Sequence, residues 1–381
     1  VWGDDGERLY PSRLPAADTQ QTLDWVDSAL TLTTHSTTES LALTAEAWLE
    51  RDGRGAVLCM RYQARADQGG RLVVALRPYN PEGIRFIEAL QAGFDEAGDW
   101  GWWVEPDARG EPAARVVFDQ PPSAYYHANY ASGDVAAMLD GPSESLRVSQ
   151  RCDTGLITAA AVFDLPAGQT QTRQWRLSLP TEAVKPKAQD WADALAGSAR
   201  LVVPDARYQS LYDTAVQTLL LHSVEDIYPG PYTYRRFWFR DAAFIIHGLL
   251  NAGFINRSAE ALARFPARQV RASGYFHSQD GEWDSNGQVL WIVARFYALT
   301  GEFPAPCSAA QWRRVLRRGA RWIARKRLDN QSNEPHAGLL PAGFSAEHLG
   351  PNDYYYWDDD WSVAGLRAAS AVLYDAGDAE A

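Results

Sequence analysis

An all-β sandwich followed by an all-α array of helical hairpins is the fold class predicted for this chain of 381 residues. Three observations carry that expectation. Up to about residue 180 the apolar residues recur with period two, and beyond about residue 200 with period 3.6. The helices of the second part come in two alternating kinds. The links between them alternate between short and long.

The period-two stretches lie at residues 29–34, 41–49, 56–64, 72–76, 114–118, 146–150 and 157–165, with turn pairs such as Asp52-Gly53 and Ala167-Gly168 between them. Many short strands with no helix between them bury their apolar faces by packing sheet on sheet. Residues 1–180 are therefore read as a β-sandwich domain. Residues 181–205, with Pro186 and Pro204, read as a linker carrying a short helix around 191–195, and the period changes near Arg200. Residues 206–381 form the helical domain.

Six helices are expected there. Residues 208–222, 258–267 and 308–326 each carry one apolar stripe on a polar helix; in the first it runs through Leu211, Tyr212, Ala215, Val216 and Leu219. Residues 242–251, 288–299 and 363–374 are apolar nearly all round, the composition of a helix buried on every side. Gly253, Gly301 and Gly377 read as left-handed C-terminal stops, and Ser308 with Gln311 as a capping box. Links out of the buried helices are short, whereas residues 222–240, 268–286 and 328–360 are long. All long loops then fall at one end of the array.

Composition narrows the function. Hydrophobic residues make up 46% and charged residues 22%, so the chain is an ordinary globular one. Its net charge of −12 disfavours nucleic acid and anionic membranes as partners. No apolar run approaches the roughly 20 residues of a spanning helix. Cys59, Cys152 and Cys307 are odd in number and widely spaced, which argues against a disulfide framework or a zinc cluster and points to a reducing cytoplasm. His222, His247, His277, His336 and His348 lack zinc-ligand spacing, and neither metal nor cofactor is expected. The basic run from Arg313 to Arg327 sits opposite the stripe Trp312, Val315, Leu316, Ala320 and Ile323, and reads as a solvated outer face.

The long loops hold Tyr228, Tyr232, Tyr234, Trp238, Tyr275, Trp283, Tyr354–Tyr356 and Trp357, together with Asp280, Glu282, Asp284, Glu347, Asp353 and Asp358–Asp360. Aromatic platforms beside carboxylates suit a neutral polyhydroxylated ligand, because apolar sugar faces stack on rings and hydroxyls bond to acids. In the first domain, residues 77–83 (Arg-Pro-Tyr-Asn-Pro-Glu-Gly) read either as turn chemistry or as a loop that completes a sugar pocket.

Three segments are more specific. They are Tyr-Thr-Tyr-Arg-Arg-Phe-Trp-Phe-Arg-Asp-Ala-Ala-Phe at 232–244, Trp-Asp-Ser-Asn-Gly-Gln-Val-Leu-Trp at 283–291 and Tyr-Tyr-Tyr-Trp-Asp-Asp-Asp-Trp at 354–361. Together they resemble the glucoamylase-like, six-hairpin glycosidases. The resemblance implies an N-terminal β-sandwich followed by an (α/α)6 toroid, of which this chain holds about half. It implies a glycoside hydrolase acting on α-linked glucosides or oligosaccharides by inversion. Arg240 and Asp241 would grip the terminal sugar, with Trp238 and Tyr234 beside them. Trp283 and Asp284 would be further contacts. Trp357, Asp358 and Asp359 match a Trp-Glu-Glu element whose first acid is the proton donor, and Trp361 closes that segment. Asp stands here where glucoamylases carry Glu, and no Arg-Pro-Gln follows Trp283, so sugar and linkage are left open. The general base would lie outside these residues, and further sequence or another chain would close the toroid.

Inversion needs one protonated carboxyl and one carboxylate holding water on the opposite face, about 6.5–9.5 Å apart, so adjacent aspartates cannot do both jobs. Asp358 is the expected acid and Asp359 the fallback. From the residues alone, Asp358-Asp359-Asp360 also reads as a helix start or as a calcium site, and Asp241 as a helix cap. A phosphorylase on the same fold and a non-catalytic carbohydrate-binding protein are the rival functions.

Overall fold

Alternation of apolar side chains sets the layers of the first unit. The computed structural model describes residues 1–26, 29–52, 55–80, 83–105, 114–178, 191–224, 226–230, 234–344 and 351–378. Gly53, Pro81, Glu82, Pro186, Tyr232, Glu347 and His348, and residues 181–190 of the expected linker, lie outside these. The chain divides into two compact units, Val1–Ala188 and Gln189–Ala381.

In the first unit, Trp2–Gly3, Gly70–Leu76, Thr158–Leu165 and Ala124–Ala128 form a four-stranded antiparallel sheet in that spatial order. A nine-stranded antiparallel sheet runs Val148–Arg151, Ala89–Phe94, Trp100–Val104, Ala114–Phe118, Thr170–Ser178, Gly55–Ala66, Leu41–Asp52, Ala29–Thr37 and Thr19–Val26. Between the sheets, Leu72, Val74, Ala159, Ala161 and Phe163 meet Leu90, Trp100, Trp102, Val116 and Phe118. Trp100 is the hub of this core: Phe118, Tyr125 and Trp102 lie at 5.4, 5.6 and 6.1 Å, and its indole N–H donates to the Leu146 carbonyl at 2.9 Å. Rings in such tilted contacts add stabilisation beyond buried area, and the buried N–H is satisfied. On the other face of the small sheet, Tyr126, Ala160 and Val162 pack under the short helix Val135–Met138. Thr158–Leu165 is thus buried on both faces, which explains its nearly unbroken apolar sequence.

The second unit contains, among the described residues, α1 (Trp191–Leu195), α2 (Ala206–Leu221), α3 (Phe239–Asn251), α4 (Ile255–Leu262), α5 (Phe265–Arg268), α6 (Ser285–Thr300), α7 (Ala309–Lys326) and α8 (Tyr356–Asp375). The helix expected at 258–267 is divided into α4 and α5, the second opening with Pro266 in its first turn. Helix α6 packs against α3, α7 and α8, while α2 and α4 pack on α3. Gly253, Gly301 and Gly377 all adopt positive φ at or just past helix ends, and the Ser308 hydroxyl accepts the Gln311 N–H at 3.2 Å.

Two expectations are corrected. Helices α3, α6 and α8 begin at residues 239, 285 and 356 rather than 242, 288 and 363, because polar and aromatic first turns carry no apolar period. The motif segments therefore reach into helix N-termini instead of ending in loops. Only α6 is buried nearly all round; α3 exposes Phe244, and α8 exposes Val363 and Tyr374 on a side that no described element covers.

Candidate functional site

The first turns of α3, α6 and α8 converge on one buried carboxylate. Asp284 stands at the N-cap of α6 but caps no backbone N–H with its side chain. Instead its Oδ2 accepts from Arg240 Nε at 2.8 Å, from Trp357 Nε1 at 2.8 Å and from Gln288 Nε2 at 3.0 Å. Arg240 comes from the first turn of α3, Gln288 from one turn into α6 and Trp357 from the first turn of α8. Arg240 also reaches Glu282 Oε1 at 3.5 Å. Asp284 and Glu282 are only 1% and 3% exposed. Two buried carboxylates facing one guanidinium at the positive ends of three helices form a rigid charged floor.

Asp358 joins this floor from the first turn of α8 and is 5% exposed. Burial, then the charges of Asp284, Asp359 and Glu282, push its carboxyl up to about 8 against the pull of Arg240. It therefore carries a proton at neutral pH, although a helix start favours the ionised form. Asp359 is also raised, first by burial, but its Oδ1 accepts the Leu340 N–H at 3.0 Å and so ties α8 to the preceding loop. Of the two candidate acids, Asp358 is the one coupled to Arg240 and Asp284.

The remaining expected contacts divide. Tyr234 and Trp238 form a ring pair at 5.6 Å ahead of α3, with the Arg236 guanidinium 4.4 Å over the Trp238 ring. Asp241 is half-buried in the first turn of α3; the N-cap is Trp238, so Asp241 is not the cap. Trp357 is 45% exposed. Trp283 packs against Tyr275 and Trp322, and Lys326 Nζ lies 3.8 Å over its ring. Trp361 packs edge-on to Phe244, Trp291 and Trp357. Both of these rings serve packing between elements rather than an open wall. Arg77 forks onto Asp134 at 2.8 and 2.9 Å within the first unit.

Sequence reasoning left Gln288 out of the site, and Glu282 entered it only as one loop acid among several. The i, i+4 spacing from Asp284 to Gln288 was the available signal, hidden because α6 starts three residues earlier than its apolar pattern does. Among the described residues, no group of three or more His, Cys, Asp or Glu side chains could hold a metal ion, and no helix is long and apolar enough to cross a membrane.

Among solved structures, the chain is similar to a bacterial glucoamylase complexed with acarbose, with a TM-score of 0.63 at 12% identity over 95% of this chain and 56% of that one. A protein described as a kojibiose phosphorylase from the human microbiome gives a TM-score of 0.45 at 8% identity, covering 93% and 53%. A family GH92 alpha-mannosidase from Bacteroides thetaiotaomicron gives 0.33 at 9% identity, covering 91% and 59%. The chain spans about half the length of the solved structures it matches. The likeness to the glucoamylase is one of fold: a β-sandwich followed by part of an (α/α)6 toroid. No family model and no curated protein matches the sequence.

Proposed function

We propose that this chain is the β-sandwich and first half of the catalytic toroid of a glycoside hydrolase that cuts α-linked glucosides or oligosaccharides by inversion, with Asp358 as the proton donor. The observation that carries the reading is the buried Asp358 carboxyl, pushed up to about 8 by burial and by Asp284. A general acid must hold its proton at neutral pH and release it to the glycosidic oxygen as the bond breaks. Arg240 and Asp241 bind sugar hydroxyls, with the Arg240 fork fixed by Asp284 and Glu282. Tyr234, Trp238 and Trp357 offer ring faces for stacking. The carboxylate that activates water comes from beyond these residues. Domain limits of 1–180, 181–205 and 206–381 fit this division of labour.

The test is the anomeric form of the sugar released from α-glucosides by the full-length protein, followed by proton NMR, in wild type and in Asp358→Asn. The expected result is an initial product of inverted configuration and a loss of about a hundredfold or more in the variant. Unchanged turnover in Asp358→Asn overturns the assignment. Oligosaccharide binding without any product identifies a carbohydrate-binding protein instead, and product formed only with added inorganic phosphate identifies phosphorolysis.

A further inference from the structure

Helix α7 buries Trp312, Val315, Leu316, Gly319, Trp322 and Ile323, and every charged residue from Arg313 to Arg321 on its opposite side is arginine. Arg313, Arg317 and Arg321 form one i, i+4 row, and Arg314 and Arg318 form the next. The helix holds no Asp or Glu. Like charges at this spacing destabilise a helix, and solvated faces ordinarily mix both signs. The residue choice is equally one-sided, since all five basic residues from Arg313 to Arg321 are Arg, and the helix's one lysine, Lys326, lies at its C-terminal end against Trp283. Planar guanidinium forks suit carboxylate partners at interfaces, where Lys is depleted.

Little within the unit answers this charge. Arg317 pairs with the buried Asp378 just past α8. Arg318 donates to the carbonyls of Val270 and Arg271. Arg313, Arg314 and Arg321 have no ion-pair partner among the described residues, and Arg313 Nε is buried without a hydrogen bond. These arginines, with Gly377 and Asp378, line a concavity of about 540 Å³.

We propose that this face docks an acidic helix, a polypeptide segment with Asp or Glu at i, i+4 spacing laid along α7. Two rows of guanidinium groups repeating every four residues, about 6 Å, match carboxylates with the same repeat on a partner helix. A compact oxyanion fits less well, because the Asp378 carboxylate already sits on the floor. The chain as a whole carries −12, so an acidic partner is drawn to this face and repelled elsewhere.

The test titrates the 381-residue chain with a labelled helical peptide bearing Glu at i, i+4 and i+8, read by fluorescence anisotropy at low and at high salt. Controls are the same composition with the glutamates out of register, and inorganic phosphate. The registered peptide should bind, and high salt should weaken it about tenfold. Arg313→Gln/Arg321→Gln should weaken it by a similar factor with an unchanged circular dichroism spectrum, as should the charge-reversed Arg313→Glu/Arg321→Glu. Equal binding of the out-of-register peptide, undiminished binding by a folded variant, or displacement of the peptide by phosphate at lower concentration than the peptide itself requires would each overturn the proposal.

Discussion

Trp357 donates its indole N–H to Asp284 Oδ2 at 2.8 Å, and this single bond joins the first turn of α8 to the residue that opens α6. It also fixes the neighbourhood of the next residue, Asp358, whose carboxyl feels the Asp284 charge as its largest influence after burial. The same tryptophan is half open to solvent, so one side chain both holds the charged floor and offers a ring face above it.

Trp357→Phe keeps the ring and removes the donor. Asp284 then retains Arg240 and Gln288, and the loss should be about 1 kcal/mol in urea unfolding at neutral pH, the net worth of one hydrogen bond to a charged acceptor at a partly exposed position. A variant as stable as wild type would show that the bond forms without contributing.

Asp358→Asn should stabilise the protein at alkaline pH while removing the proposed chemistry. The folded carboxyl holds its proton to about 8, whereas the ordinary value is 3.8, so between those values the native state binds the extra proton. Its contribution is complete below about pH 4 and is lost as pH rises through 8. Asparagine has no such slope. The variant should therefore gain about 1–3 kcal/mol on wild type between pH 5 and pH 8, measured as the difference in urea midpoints. An equal midpoint difference at both pH values would mean that Asp358 titrates in the ordinary carboxylate range.

Gly287 and Gly365 let α6 and α8 pack backbone against backbone. A methyl group on Gly287 would overlap the Trp361 carbonyl, and one on Gly365 would overlap the Gly287 carbonyl. Both are buried, Gly287 in the first turn of α6 and Gly365 in the middle of α8, so relief requires the helices to separate. Gly287→Ala should cost about 1–3 kcal/mol despite the better helix propensity of alanine. It should also move Asp284 relative to Trp357, which near-ultraviolet circular dichroism of the tryptophans can follow. A stabilised variant would show that propensity outweighs the overlap.

Much of this architecture is legible in the sequence where burial is one-sided. Ala114–Phe118, short, apolar and rich in β-branched residues, with Val116 and Phe118 buried, is found at its observed limits. Thr19–Val26 is missed because it is a polar edge strand, Trp100–Val104 because Gly101 and adjacent tryptophans break the alternation, and Thr170–Ser178 because Gln171 and Arg173 stand on the same side as the core-packed Trp175 and Leu177 and interrupt the apolar period. In the helical unit the apolar period marks helix middles and is silent at their starts. There the first turns must satisfy charge rather than bury carbon, so α8 extends back through Asp358 and Trp357. Composition points to aromatic and acidic residues on one end. Which carboxylate takes the arginine is a property of packing: Trp283 and Asp284 are adjacent, yet one goes to α7 and the other to Arg240.

Arg240→Ala tests whether that arginine holds the floor together. Its guanidinium is the cation that ion-pairs with Asp284 and Glu282, both nearly sealed from water. Removing one partner of a buried pair leaves charge uncompensated, so the variant should lose about 3–5 kcal/mol at pH 7. Arg240→Lys restores a charge but not the fork and should recover only part of the loss, because one ammonium cannot reproduce the paired geometry. Arg240 also pulls the Asp358 carboxyl downward, so its removal should raise that titration further above 8, which NMR of the carboxyl carbon in a variant that remains folded can follow. If Arg240→Ala matched wild type in urea midpoint and left the Asp358 titration unmoved, the guanidinium would not be the group that makes three carboxyls tolerable at the mouth of these helices.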